Sequence, residues 1–255
     1  MRIAKPSVET TRNPLILFHP TPASGGYFTE FMALMATDRV VIAIDAPGYG
    51  DSTRPATIPS IDDYATSAAM VLEELGFGSE DSERVDALGY HTGGLIAVEL
   101  ARSRPSLVRR LVLPGLPFFT GETRRELYER TTVPAPEVAR DGSHLMQVWD
   151  HATIAVDAGV PLARAQELFA EEIKSYPYGW WGYHAAFTYE SDLRFREVAQ
   201  PVLLISTVGG LQEATAAAAE HFEAATYVHL QDYTFGVFVV GVDALAAEAR
   251  KFLDD

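Results

Sequence analysis

Short apolar runs alternate along the chain with segments of helical hydrophobic spacing. Six runs predict strands: residues 14–19, 40–45, 84–90, 110–113, 201–206 and 225–230. Most of them are short, β-rich and apolar throughout, which is typical of strands covered on both faces. The helical spacing falls in residues 61–75, 93–103, 212–223 and 242–253. This alternation predicts an α/β fold with a mostly parallel central sheet and helices on both faces.

The alternation of strands and helices breaks between about residues 118 and 197. The spacing there predicts helices only, over residues 121–131, 143–157, 161–175 and 179–189. Helices inserted at the carboxyl ends of strands usually form a lid over the binding crevice. We therefore predict a core domain of residues 1–117 and 198–255 and a helical lid of residues 118–197. All three Trp residues lie in this lid, where they either face the crevice or pack inside the lid.

Composition and charge narrow the classes of protein that the chain can represent. The 255 residues include no Cys, which excludes disulfides, thiolate metal sites and cysteine nucleophiles. The 35 Asp and Glu against 20 Lys and Arg give a net charge of −15, which disfavours binding to nucleic acid or an anionic membrane. No apolar stretch has transmembrane length and the first residues lack a signal-peptide pattern. We expect a soluble, cytoplasmic protein.

The most specific motif is a glycine-flanked turn between a predicted strand and a predicted helix. It reads Gly89-Tyr90-His91-Thr92-Gly93. Glycines two positions before and two after the central residue remove side chains that would collide at a sharp turn. This pattern is the nucleophile elbow, which presents His91 at the top of the sheet beside the helix N-terminus.

Several motifs together make the chain similar to a known family. After the first long strand comes Phe18-His19-Pro20-Thr21-Pro22, followed by Asp45-Ala46-Pro47-Gly48-Tyr49-Gly50-Asp51-Ser52. After the elbow, residues 104–113 and 200–205 match the family's later strands. The chain resembles the α/β-hydrolase fold family over nearly its whole length. The resemblance implies an α/β-hydrolase fold with a lid insertion.

The sequence departs from the family at all three catalytic triad positions. The elbow residue is His91, where the family usually has Ser. The resemblance places the acid position at Gly209 or Gly210 and the histidine position at Phe235. The alternative acid position, after residues 110–113, also lacks a carboxylate. Serine hydrolysis needs a hydroxyl, a base and an orienting carboxylate, so an ordinary serine hydrolase is not expected.

The resemblance implies that an oxyanion site remains. In the family, one backbone donor follows the elbow residue, which here is Thr92, and the other lies in the loop after the first long strand, which here is Thr21. Two N–H groups aimed at a carbonyl oxygen stabilise an enolate as well as a tetrahedral adduct. The hydroxyls of both residues are candidate further donors. We predict His91, Thr21 and Thr92 as catalytic residues.

His91 has three functional interpretations and one inactive one. A neutral imidazole can act as a general base near pH 7, as a nucleophile, or as a polar anchor for substrate. The inactive alternative is a histidine that is hydrogen bonded within a degenerate site. The strained turn argues against that alternative, because such strain persists most naturally where the tip of the turn is used.

Histidine and aromatic residues supply the candidate substrate-binding set. It comprises His19, His144, Trp149, Trp180, Trp181, Tyr183, His184, Tyr233, Phe235 and Phe238. For His19, the resemblance favours a structural bridge to neighbouring backbone. The remaining histidines, His151, His221 and His229, have the pattern of surface or helix positions. No metal-binding spacing, phosphate loop or dinucleotide fingerprint is present, so we expect neither a metal nor another cofactor.

Three functions remain compatible with these features. The first is a cofactor-independent, non-hydrolytic enzyme that forms or breaks C–C bonds, or cyclises a bulky apolar or aromatic small molecule, through an enolate or phenolate. By analogy of fold, natural-product (secondary-metabolite) biosynthesis is its expected setting. The second is a hydrolase with a relocated apparatus that uses Asp232, Glu213 or a lid histidine. The third is a catalytically dead ligand-binding protein. A small molecule is the expected partner, and a homodimer is left open.

Overall fold

A mixed, mostly parallel β-sheet forms the centre of the protein in the computed structural model, which describes residues 1–79, 83–153 and 159–255. Its strands are β1 (Arg2–Ala4), β2 (Leu15–Phe18), β3 (Val41–Ile44), β4 (Val85–Gly89), β5 (Val108–Pro114), β6 (Val202–Thr207) and β7 (Ala225–Leu230). The spatial order is β1-β3-β2-β4-β5-β6-β7, with only the β1–β3 pair antiparallel among these strands.

Helices cover both faces of this sheet. The described α-helices are α1 (Thr29–Met35), α2 (Ile61–Glu74), α3 (Thr92–Ser103), α4 (Gly121–Thr131), α5 (Met146–Thr153), α6 (Leu162–Glu172), α7 (Trp181–Thr188), α8 (Ser191–Arg194), α9 (Gln212–Ala218) and α10 (Val242–Asp254). Helices α2 and α3 pack in one hydrophobic cluster, and α1 and α10 pack in the other.

The continuous apolar character of the strands follows from this double coverage. Ile16 and Phe18 belong to the cluster on one face of the sheet, whereas Leu15 and Leu17 belong to the cluster on the other face. All four side chains are buried, as alternation with a period of two requires when both faces are covered. The predicted mostly parallel sheet with helices on both faces is thereby confirmed.

The segment between β5 and β6 contains α4 to α8 and no strand among its described residues. It is tied to the sheet layer through Glu99 of α3, whose carboxylate is buried. Tyr189 donates its hydroxyl proton to Glu99 Oε2 at 2.9 Å, and Arg194 lies 3.2 Å from the same atom. This carboxylate therefore fixes the end of the helical segment against α3. The division into a core domain and a lid domain stays a prediction.

The structure adds three elements and shortens others. The antiparallel β1 and the helices α1 and α8 were not predicted, because a three-residue edge strand and helices of seven and four residues give little periodic signal. The predicted helix over 143–157 is α5 in its described part, and residues 154–158 lie outside the described residues. Across the described ranges, no helix combines the length and apolar character needed to cross a membrane.

Candidate active site

The elbow between β4 and α3 has the strained geometry that its glycines predict. His91 adopts φ 51° and ψ −118°, and it is the only non-glycine residue with positive φ in the described chain. A Cβ atom on Gly89 would lie 2.2 Å from the carbonyl oxygen of Gly93. A Cβ atom on Gly93 would lie 2.0 Å from the carbonyl oxygen of Phe18. Only glycine fits either position, so the close approach of strand and helix depends on both.

The imidazole of His91 lies among aromatic rings and glycine. The Tyr90 ring centroid is 3.8 Å from its centroid, and the edge of Phe235 approaches at 5.8 Å with an interplanar angle of 89°. Gly115 borders the ring so closely that a Cβ there would lie 2.8 Å from His91 Cδ2. Burial, with a smaller contribution from the nearby charge of His151, lowers the pKa of His91 to about 3. The ring is therefore neutral at pH 7.

Two backbone N–H groups beside His91 are available to a ligand. Thr92 is the first residue of α3, where a helix leaves its N–H without an intrahelical acceptor. Neither the Thr92 N–H nor the Thr21 N–H donates a hydrogen bond to the described residues. Both residues line the same cavity as His91. The Thr21 and Thr92 hydroxyls remain candidate further donors.

A second histidine reaches the same cavity from the helical segment. His151 of α5 and Glu172 at the end of α6 both line it, and His151 Nδ1 lies 3.1 Å from Glu172 Oε2. The carboxylate is 7% exposed, and its hydrogen bond raises the pKa of His151 above the ordinary value. The cavity thus holds one acid-supported histidine and one unsupported neutral histidine.

The sequence analysis missed the pair of His151 and Glu172. It placed His151 at a surface or helix position, and the residue does lie on α5 with its side chain 53% exposed, but it did not connect His151 with Glu172. The two residues are 21 positions apart on different helices, and no motif links them. The only sequence-based pointer to this pair is the second hypothesis, a hydrolase whose catalytic residues include a lid histidine. Asp232 and Glu213, the other candidates for that apparatus, are exposed and lie outside the described cavities.

The cavity has a volume of about 410 Å³ and mainly apolar and aromatic walls. Tyr27 and Tyr90 stack with their centroids 5.6 Å apart, and both hydroxyls donate to the Phe235 carbonyl at 3.3 Å. The remaining lining residues are Pro20, Ala23, Phe119, Leu127, Arg130, Ala152, Leu168, Tyr183, Phe187, Gly210 and Leu211. Such a space suits a ring-containing substrate with few polar groups.

All three expected triad positions line this cavity, but none has the side chain that a serine hydrolase needs there. Gly210, one of the two proposed acid positions, and Phe235, the proposed histidine position, both line it. A Cβ on Gly210 would lie 3.1 Å from Phe235 Cζ, so the two positions are neighbours. No Ser, Cys or Asp side chain contributes to this cavity among the described residues.

Five of the predicted site residues line the cavity together. These are His91, Thr21, Thr92, Tyr183 and Phe235. His144 and Trp180 line a separate cavity of about 210 Å³, which shares Tyr183 and Glu172 with the first one. The two cavities are therefore adjacent, and the helical segment contributes to both.

The other predicted binding residues lie elsewhere, each for a visible reason. His19 is buried, with Nδ1 3.0 Å from the Pro20 carbonyl oxygen and Nε2 accepting the Ala46 N–H at 3.0 Å, so it is a structural bridge. Phe238 is fully buried in the core against other aromatic rings. His184 Nδ1 lies 3.0 Å from the Tyr128 hydroxyl oxygen.

The three remaining candidates pack against neighbouring side chains or backbone. Trp149 packs its ring at right angles to Phe169, Trp181 packs against Tyr178, and Tyr233 covers Gly241. None of the three lines the cavity that contains His91.

Comparison with known proteins agrees with this architecture. The model of the family described as "alpha/beta hydrolase fold" matches residues 13–129. A soluble epoxide hydrolase from Corynebacterium sp. (strain C12) is 32% identical over 107 residues, which are 40% of this chain and 36% of that protein. A 2-hydroxymuconate semialdehyde hydrolase from Pseudomonas sp. (strain CF600) is 37% identical over 106 residues, again 40% of this chain and 36% of that protein. The match therefore spans little more than a third of the length of these curated relatives.

Solved structures match over the whole chain at low sequence identity. The enol-lactonase from Burkholderia xenovorans LB400 aligns with a TM-score of 0.79 at 18% identity, covering 100% of this chain and 95% of that one. The esterase RhEst1 from Rhodococcus sp. ECU1013 aligns with a TM-score of 0.80 at 21% identity, covering 100% and 94%. The strand order, the glycine-bound elbow and these matches agree that the chain has the predicted α/β-hydrolase fold.

Proposed function

We propose that this protein is an enzyme that moves a proton at a carbon next to a carbonyl group. It uses the resulting enolate to make or break a C–C bond, or to close a ring, in a bulky apolar or aromatic small molecule. The single observation that carries the proposal is the composition of the cavity. It contains an acid-supported histidine, His151 with Glu172, but no Ser, Cys or Asp among its described lining residues.

The two histidines have different roles in this proposal. The hydrogen bond from Nδ1 to Glu172 leaves His151 Nε2 free to accept a proton, and the raised pKa makes it the stronger base. A pKa of about 3 makes His91 a weak base at pH 7. Of the three interpretations of His91, its neutral state favours the polar anchor, which positions substrate below the base.

The oxyanion site completes the chemistry. The substrate carbonyl oxygen accepts the N–H groups of Thr21 and Thr92 while His151 Nε2 takes the proton from the adjacent carbon. The electron pair of the broken C–H bond moves into the enolate. The enolate carbon then bonds to an electrophilic carbon of the same substrate, whose π electrons pass to its heteroatom. Protonated His151 returns its proton to that atom.

Deuterium exchange tests the proton transfer directly. Enolisable aryl ketones incubated in D₂O with the protein should exchange their α-protons, as followed by NMR. His151→Gln and Glu172→Gln should lower the exchange rate by about 10²- to 10⁴-fold, the usual worth of a general base. His91→Asn should act mainly on KM. His229→Gln is the matched control, since this ring hydrogen bonds to Ser206 outside the cavity. Unchanged exchange in His151→Gln would remove His151 from the mechanism.

Hydrolysis is the second candidate function, and the same pair favours it. His151 could activate a water molecule for attack on an ester carbonyl that is held by the two N–H groups. The relatives named as hydrolases support this alternative. An ester panel in ¹⁸O-labelled water separates the two functions. Label in the acid product that depends on His151, without α-proton exchange in ketones, would establish hydrolysis instead.

A further inference from the structure

Arg130 is a cation at the wall of the cavity that the proposed chemistry does not use. It lies in the last turn of α4, and its side chain is exposed. Leu127, one turn earlier on the same face of the helix, also lines the cavity. At this wall of the cavity, Leu127 therefore provides an apolar surface and Arg130 provides a positive charge.

The guanidinium of Arg130 makes no ion pair or hydrogen bond to the described residues, unlike its neighbours on α4. Arg125 pairs with Glu122, and Arg124 Nη1 donates to the Tyr189 carbonyl at 3.4 Å. An unpaired cation is notable on a chain with a net charge of −15.

The remaining charges in the cavity do not satisfy this cation. Glu172 is the only carboxylate among the described lining residues, and it is bonded to His151. Among the described lining residues, the Arg130 guanidinium is therefore left without a carboxylate partner, beside apolar and aromatic surface.

We propose that Arg130 binds a carboxylate carried by the substrate, so that the ligand is an aromatic or apolar acid rather than a neutral hydrocarbon derivative. A guanidinium holds a carboxylate through two parallel N–H···O bonds, which fix the orientation of the ligand. The inference rests on the proposed function only in taking this cavity as the substrate site. The carboxylate anchors the ligand at the α4 wall, and its apolar body lies along Leu127 towards His91.

Equilibrium binding of two matched probes tests the proposal without any turnover. 2-Naphthoate and 2-naphthamide have the same ring system and differ in charge. Isothermal titration calorimetry at pH 8 should show that the wild-type protein binds the naphthoate about tenfold more tightly, because a charge-assisted pair replaces a neutral one. Arg130→Gln should abolish the preference, and Arg130→Lys should keep part of it.

Arg125→Gln is the matched control for this experiment. It removes the same charge from the same helix, and Arg125 lies outside the cavity lining, so the preference for naphthoate should be retained. Equal affinities of the wild-type protein for the two probes would overturn the proposal. An unchanged preference in Arg130→Gln would overturn it as well. Because no reaction is measured, either outcome leaves the proton-transfer function to be decided by deuterium exchange.

Discussion

At the scale of single residues, the room around His91 is made by a glycine. Gly115 has φ +56°, and its Cα faces the imidazole edge. A methyl group there would lie 2.8 Å from His91 Cδ2 and 3.0 Å from His91 Nε2. The position of the ring in the cavity therefore depends on a residue 24 positions away in the chain, at the end of β5.

Gly115→Ala should displace the His91 ring and destabilise the fold. The positive φ alone costs about 1–2 kcal/mol in a residue with a Cβ, and the contact with the ring adds to that cost. Gly121→Ala is the control, because Gly121 has φ +55° and nothing within 4 Å of an added Cβ. Urea unfolding of both variants checks the difference. Equal losses would show that the ring is not crowded.

Sequence reasoning located the elbow residue well and its surroundings less well. The glycines at 89 and 93 define the turn on their own, because backbone collisions there leave no other choice. Phe235 and Phe238 are three positions apart in one short stretch, yet only Phe235 lines the cavity while Phe238 fills the core. That stretch is a 3₁₀ turn of only four residues, which is too short for its sequence to show which ring faces the cavity.

At the scale of helices, α6 carries cavity residues and an anchor on one face. Arg164, Leu168 and Glu172 are spaced four residues apart, so they point in the same direction. Leu168 and Glu172 line the cavity. Arg164 Nη2 donates to the Gly26 carbonyl at 3.0 Å and to Glu30 Oε2 at 2.9 Å. The anchor thus holds the helix that positions the proposed base.

Arg164→Ala should destabilise the protein by about 3 kcal/mol, because it leaves polar partners of a mostly buried ion pair uncompensated. It should also lower activity, since α6 would no longer hold Glu172 against His151. Arg125→Ala is the control: both partners of its ion pair are 64% exposed, and such pairs contribute little. Thermal unfolding and the exchange assay give the two readouts. Equal stability of both variants would contradict the anchoring role.

Strands and helices were predictable from the sequence where burial gives them a characteristic pattern of apolar residues. The strands β2 and β3 are apolar along their length, and β6 is apolar over its first four residues, because helices cover both faces of the sheet; that pattern is visible in the sequence. Contacts between helices are not visible in the same way. The pairing of His151 with Glu172 depends on how α5 packs against α6, and neither residue breaks the ordinary amphipathic pattern of its helix.

At the scale of the whole molecule, stability should depend on the neutral state of buried histidines. Burial lowers the pKa values of His91 and His19 in the folded protein below the ordinary histidine value of 6.5. Below pH 6.5 the unfolded chain therefore binds more protons than the folded protein at these sites, and the free energy of unfolding falls as the pH falls. Each such histidine lowers the free energy of unfolding by up to about 1.4 kcal/mol for each unit that the pH falls.

His91→Asn should therefore lose less stability than the wild-type protein between pH 6.5 and pH 5. Acidic groups with lowered pKa values, such as Asp38, Asp45 and Glu171, lose their stabilising effect mainly below this range. His151, whose pKa is raised, acts in the opposite direction and is present in both proteins. Urea unfolding at several pH values measures the slope, with pH 8 as the reference. Parallel slopes would show that His91 is not held neutral.

The turn that carries Phe235 is held through the backbone carbonyl oxygen of this residue, which any amino acid at position 235 would also have. The two tyrosine hydroxyls that bond to this oxygen keep their acceptor whatever side chain stands at position 235. The position of this turn therefore does not depend on which side chain residue 235 carries. An imidazole introduced by Phe235→His would therefore face the cavity from a turn whose backbone position is already fixed. Combined with His91→Ser and Gly210→Asp, it offers a short mutational route from this chain to a conventional serine esterase.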